Sequence, residues 1–121
     1  MAYVPISTMS LSFGLRLTGT VVVWLPSVVV MAGIFVVSSM SSPPMSSNIP
    51  DVGAHAVVYA VLGASFVFGF TGARWRRVTF KTVALATVCA LVYGISDEFH
   101  QSFVPGRTAE FRDLIADFCG A

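Results

Sequence analysis

Three long apolar runs divide the chain, at residues 17–38, 53–72 and 78–96, each bounded by polar or turn-forming residues. At 1.5 Å of rise per residue, the first would make a helix of about 33 Å, enough for the roughly 30 Å hydrocarbon core of a bilayer. It also exceeds the roughly 7–15 residue apolar region of a signal peptide, so it reads as a span rather than a cleaved leader. Pro26 inside it predicts a kink, tolerable in a membrane because neighbouring groups re-satisfy the freed carbonyl. Residues 1–16 read as an N-terminal tail. The Ser- and Pro-rich stretch SSMSSPPMSSNIPD (38–51) reads as a loop, and ARWRR (73–77) separates the second run from the third.

The segment TAEFRDLIADFCGA (108–121) reads as a short helix: Pro105-Gly106 makes a turn before it, Thr108 suits the N-cap, and Glu110 in the first turn suits the helix dipole. Its length of about 20 Å is too short to cross. It is expected either to lie along the outer interface or to begin a fourth span. The fold class predicted is all-α: a transmembrane helix bundle of three spans plus a short C-terminal helix, in one domain covering residues 1–121.

Composition agrees, since 55% of the 121 residues are hydrophobic and only 11% are charged, far from the balance of a soluble domain. The expected partner is the lipid bilayer. Charge order then sets orientation: Arg74, Arg76, Arg77 and Lys81 cluster between the second and third runs, and basic residues accumulate on the cytoplasmic side. The N-terminus with Arg16 falls inside as well, residues 39–52 and 97–117 fall outside, and Trp75 serves as an interfacial anchor. A basic cluster between two apolar runs is a topology signal, so no nucleic acid is expected. Cys89 and Cys119 stand apart and read as small hydrophobes rather than a disulfide or metal pair.

The chemistry gathers at the outer ends. Asp51, His55, Tyr59 and Gly63 recur every four residues in the second span, and Tyr93, Asp97 and Gln101 do so in the third, with Glu98 and His100 beside them. Arg107, Asp113 and Asp117 are expected to return to the same level. The candidate ligand-binding residues are therefore His55, Tyr59, Asp97, Glu98, His100, Gln101, Arg107, Asp113 and Asp117, because intramembrane ionisable groups face one another or a wet cavity. Arg107 follows a fixed turn, so its guanidinium is aimed either at a neighbouring carboxylate or at an anionic ligand. Five carboxylates, Asp97, Glu98, Glu110, Asp113 and Asp117, face only Arg107 and Arg112. Such a cluster raises its own pKa values or recruits a divalent ion.

At these residues the chain resembles the VanZ-like family, named after an accessory factor of glycopeptide (teicoplanin) resistance. The resemblance rests on DEFHQSFVPGR (97–107) with DLIADFCG (113–120), where Asp97, Glu98, Gln101, Pro105, Gly106, Arg107, Asp113 and Gly120 match the family's pattern. FVVSSMSSPP resembles its first-helix exit, and DVGAHAVVYAVLG carries Asp51, His55, Tyr59 and Leu62 of a second motif. Two positions depart: Val52 stands where Lys is common, and Asp117 where Asn is usual. A fourth transmembrane helix is also expected in the family.

The resemblance implies a small integral protein of the bacterial envelope, placed in the plasma membrane, and assigns no reaction or cofactor. Three functions are weighed. The first is an outer-face pocket binding an anionic headgroup or a cell-wall precursor, with Arg107 as clamp and His55 and Tyr59 as neutral donors. The second is a metal-dependent hydrolase of a phosphoester or lipid-linked substrate, whose ligands would come from Asp97, Glu98, His100, Asp113 and Asp117. The third is a structural bundle with no ligand.

Overall fold

A computed structural model of the chain describes residues 6–41, 51–106 and 111–121, with side chains from residue 19 onward except at residue 51. It holds four α-helices, α1 (Ile6–Ser38), α2 (Asp51–Thr71), α3 (Phe80–Gln101) and α4 (Phe111–Gly120), with a single 3-10 turn at Trp75–Arg77. No strand occurs among the described residues. Stretches of α1, α2 and α3 are long and apolar enough to cross a membrane: Gly19–Ser38, Val52–Thr71 and Phe80–Gln101. The all-α bundle of three spans and a short C-terminal helix is the observed architecture.

Element boundaries differ from the sequence expectation in three places. Helix α1 begins at Ile6 rather than near Leu17, and residues 6–16 contain no proline to interrupt it. Helix α3 starts two positions later than expected, where Thr79 and Thr82 form a reciprocal capping box. It also runs past Ser96 to Gln101. Asp97, Glu98, His100 and Gln101 thus belong to the span itself, not to an outer loop. Polar residues end a helix only when they compete for its backbone, and here Gln101 donates to the Asp97 carboxylate one turn earlier, at 2.9 Å. The turn at Pro105-Gly106 is present, with Gly106 at φ 84°. Thr108 and Glu110, expected to cap and charge the last helix, lie outside the described residues.

The three spans run up, down and up. Near the basic end, Trp24 of α1 lies edge-on to Phe70 of α2, ring centroids 5.0 Å apart, and covers Gly69. Tyr59, Leu62, Phe66, Ala86 and Ala90 form the buried core at mid-depth, and Tyr93 ties α3 to α1 by donating to the Met31 carbonyl at 2.6 Å. At the opposite, polar end, Ser38 closes α1 onto α3 by donating to Asp97 at 2.6 Å. Arg74, Arg76, Arg77 and Lys81 are exposed at the basic end, with Trp75 beside them. The outward faces are apolar: Val22, Leu25 and Val29 on α1, Val57 and Val61 on α2, and Val88, Val92 and Ile95 on α3 are all exposed. So much contiguous apolar surface marks a protein whose solvent is lipid.

Helix α4 does not lie along the interface. It starts at the polar end and runs down between α2 and α3, parallel to α2, until Ala121 meets Gly63 of α2 and accepts a hydrogen bond from Thr87 of α3. Its amphipathicity is reversed: Asp113, Ala116 and Asp117 are buried, while Phe111, Ile115 and Phe118 are exposed. In water that helix would be inside out; in lipid it places apolar groups outward and carboxylates against protein. The close approach depends on Gly120, where an added Cβ would collide with the Ala56 carbonyl of α2, a backbone atom that no rotamer change can move aside. Gly120→Ala is therefore expected to cost about 1–3 kcal/mol through overpacking, lowering the detergent-solubilised protein's Tm. An unchanged melting curve would contradict the α2–α4 packing.

Candidate functional site

The polar end is built on α2. His55 and Tyr59, one turn apart, present to α3 and α4 side chains whose rings lie nearly parallel, with centroids 6.3 Å apart and an interplanar angle of 5°. From α4, Asp117 reaches His55 with Oδ1 at 2.9 Å from Nδ1, and Asp113 approaches the other ring nitrogen, Oδ2 to Nε2, at 3.9 Å. An ionised Asp117 can only accept, so in that state Nδ1 carries a hydrogen. Gly94 of α3 makes room for both partners: its missing Cβ would sit 2.9 Å from the second oxygen of Asp117 and 3.4 Å from the Tyr59 hydroxyl.

Asp117 and Tyr59 are each only 1% exposed. The Tyr59 hydroxyl and Asp117 Oδ2 are buried without a hydrogen-bond partner among the described residues. Glu98 stands one turn beyond Gly94 on α3. Ligand atoms of His55, Glu98 and Asp113 lie within 4.8 Å of one another, which groups one imidazole and two carboxylates from three helices.

A second polar group adjoins the first. Asp97 is buried, accepting from Ser38 through Oδ1 and from Gln101 through Oδ2. His100 leaves the cluster and lies on the α1 seam, where Nε2 is 3.1 Å from the Ser39 hydroxyl and the ring stacks on Phe35 at 4.7 Å. Between α1 and α2 runs a cleft of about 330 Å³. Val30, Ile34, Val58 and Val61 line its apolar length, and Ser38, His55, Asp97 and Gln101 its polar end.

The sequence model of the VanZ/LLP1 family matches residues 22–121. The chain belongs to the VanZ/LLP1 family. No curated protein and no solved structure matches it. The family match takes in every residue of the polar end, and the fold makes this VanZ/LLP1 chain an integral membrane protein. Val52 is exposed on the first turn of α2. Asp117 is the group that grips His55.

The structure joins His55, Tyr59, Glu98, Asp113 and Asp117 in one cluster, sets Asp97 and Gln101 beside it, and separates His100. Arg107 lies outside the described residues, as does the side chain of Asp51. Asp117 sits opposite Gly94, against His55. Three contributors went unread in the sequence: Ser38, taken as the start of a loop, Gly94, and the Met31 carbonyl that engages Tyr93. Gly94 had a legible signal, since it continues the four-residue spacing of the small residues Ala86 and Ala90 and precedes Glu98 by one turn.

The two buried hydroxyl-bearing contacts differ in consequence. Tyr59→Phe removes a hydroxyl that has no partner, so it is expected to change stability by less than about 1 kcal/mol or to raise it. Asp97→Ala removes the acceptor of the buried Gln101 amide and leaves the Ser38 hydroxyl only the Phe35 carbonyl of its own helix, and is expected to cost about 1–3 kcal/mol. Thermal unfolding in one detergent checks both, and the reverse order would contradict the hydrogen-bond assignment.

Proposed function

We propose that this VanZ/LLP1 protein resides in a bacterial plasma membrane and binds an amphiphile with an anionic headgroup, a lipid or a lipid-linked cell-wall precursor, in the α1–α2 cleft. The observation that carries this reading is the cleft's composition: a lipid-accessible apolar length that ends on Ser38, His55, Asp97 and Gln101. Chain and headgroup of an amphiphile need that pairing of surfaces, with a few polar groups fixing orientation. In this reading Arg107, from the turn that follows α3, clamps the headgroup, a role supported by its sequence context alone. A role in glycopeptide (teicoplanin) resistance follows from the same proposal, by sequestering or presenting a precursor at the outer face.

The proposal needs the polar end outside and the N-terminus in the cytoplasm, which the exposed Arg74, Arg76, Arg77 and Lys81 at the opposite end support through the positive-inside rule. In a background with Cys89 and Cys119 replaced by Ala, a Cys at exposed Ser102 is expected to react with an impermeant thiol reagent added to whole cells. A Cys at exposed Trp75 is expected to react only after permeabilisation. The opposite labelling pattern would reject an outer-face site.

Cleft binding has its own test. Gly33 lines the cleft and has nothing within 4 Å of a Cβ, and Gly19, outside the cleft, has equally open space. With purified protein and a spin-labelled phosphatidylglycerol, Gly33→Phe is expected to weaken binding about tenfold or more by filling the cleft, while Gly19→Phe binds as the parent does. Equal binding by the two variants would move the ligand elsewhere.

A further inference from the structure

On the α4 side of α2 the structure gathers a group that the cleft does not explain. Ligand atoms of His55, Glu98 and Asp113 come within 4.8 Å of one another, each from a different helix. Asp117 makes the arrangement more than an acidic cluster. It is 1% exposed, one of its oxygens fixes His55 Nδ1 at 2.9 Å, and the other is buried without a hydrogen-bond partner, facing Gly94 one helical turn below Glu98. With Nδ1 occupied by a carboxylate, the imidazole directs Nε2 toward Asp113, at 3.9 Å. A carboxylate behind a histidine whose second nitrogen faces further carboxylates is how proteins orient a metal-binding imidazole and raise its basicity.

We propose that His55 Nε2, Glu98 and Asp113 bind a first-row divalent cation, with Asp117 as the positioning residue behind the imidazole. One nitrogen and two carboxylate donors suit Mn²⁺ or Zn²⁺. Three protein ligands leave coordination positions open, as in sites that also engage a small molecule or water. This inference goes beyond amphiphile binding: it concerns a different set of donors, and it is measured without any lipid ligand.

The test uses tag-free full-length protein in detergent, stripped with a chelator, dialysed and titrated with Mn²⁺. Uptake is read from the loss of the free-ion EPR signal. Mn²⁺ is the probe because a hard cation avoids the thiols of Cys89 and Cys119. Saturable uptake of one ion per chain is expected, with a Tm that rises with ion concentration. Glu98→Gln and Asp113→Asn, which preserve size, are each expected to weaken uptake at least about tenfold, and Asp117→Asn about 10–100-fold without lowering the number of ions bound at saturation. Cys119→Ala should leave uptake unchanged. Should a carboxamide variant fail to fold, the wild-type titration still decides: a folded parent chain that takes up no ion, or binds Mn²⁺ without saturation, overturns the proposal and leaves His55 as an imidazolium bridging Asp113 and Asp117. Folded Glu98→Gln and Asp113→Asn variants that keep the parent affinity overturn it equally. Either failure leaves spin-labelled lipid binding to the cleft standing or falling on its own result.

Discussion

A carboxylate in hydrocarbon has no water to face, so it must face another protein group, and that constraint organises the polar half of this bundle. The contact that meets it is the pair of His55 and Asp117, 2.9 Å apart and almost fully enclosed. Because Asp117 sits on a helix whose other face carries Phe111, Ile115 and Phe118, satisfying the carboxylate also sets how α4 turns. The reversed amphipathicity of α4 follows directly. Its depth follows from the same contact, for a helix that delivers Asp117 to His55 must bring Gly120 against Ala56 and Ala121 against Gly63. Small residues at those crossings are what allow an electrostatic requirement to be met at backbone contact distance.

The remaining contacts between spans are few and local, as expected where lipid is as apolar as the helices and hydrophobic burial gives little drive to associate. Trp24 over Gly69 fixes α1 on α2 at the basic end, Tyr93 to the Met31 carbonyl fixes α1 on α3 at mid-depth, and Ser38 to Asp97 fixes them again at the polar end. Between these contacts α1 stands off from α2, which leaves the cleft. Pro26 lies within α1 without ending it, so one continuous helix carries all three attachments.

The number and extent of the spans were legible because lipid imposes a length and a composition, and both can be counted along a chain. His55, Tyr59, Asp97 and Gln101 were legible for a related reason: four-residue spacing puts them on one helix face, and polar residues on a face within an apolar run need partners. What the spacing could not convey was which helix supplied the partner. Asp97 and His55 look equivalent in sequence, yet Asp97 turns to α1 through Ser38 while His55 turns to α4. His100, adjacent in sequence to the cluster, is drawn off by Ser39 and Phe35. The end of α3 was misread because charge after an apolar run resembles a helix exit, and only the Gln101–Asp97 bond and the depth of α4 reveal it as the helix's last buried turn.

Helix α2 is a wall shared by two compartments. Its His55 and Tyr59 line the cleft toward α1, and the same residues contact Asp117, Asp113 and Gly94 toward α3 and α4. A neutral imidazole whose Nδ1 donates to Asp117 offers only a lone pair at Nε2; a doubly protonated one offers a donor there and carries charge. The state of His55 therefore sets the polarity seen from both compartments at once. Asp117 holds that choice from behind, 2.9 Å from Nδ1. An asparagine there would contact His55 without the carboxylate's charge. Position 117 thus governs the electrostatics of the shared wall more than its shape, since Asn and Asp fill nearly the same volume while only one of them can bear charge.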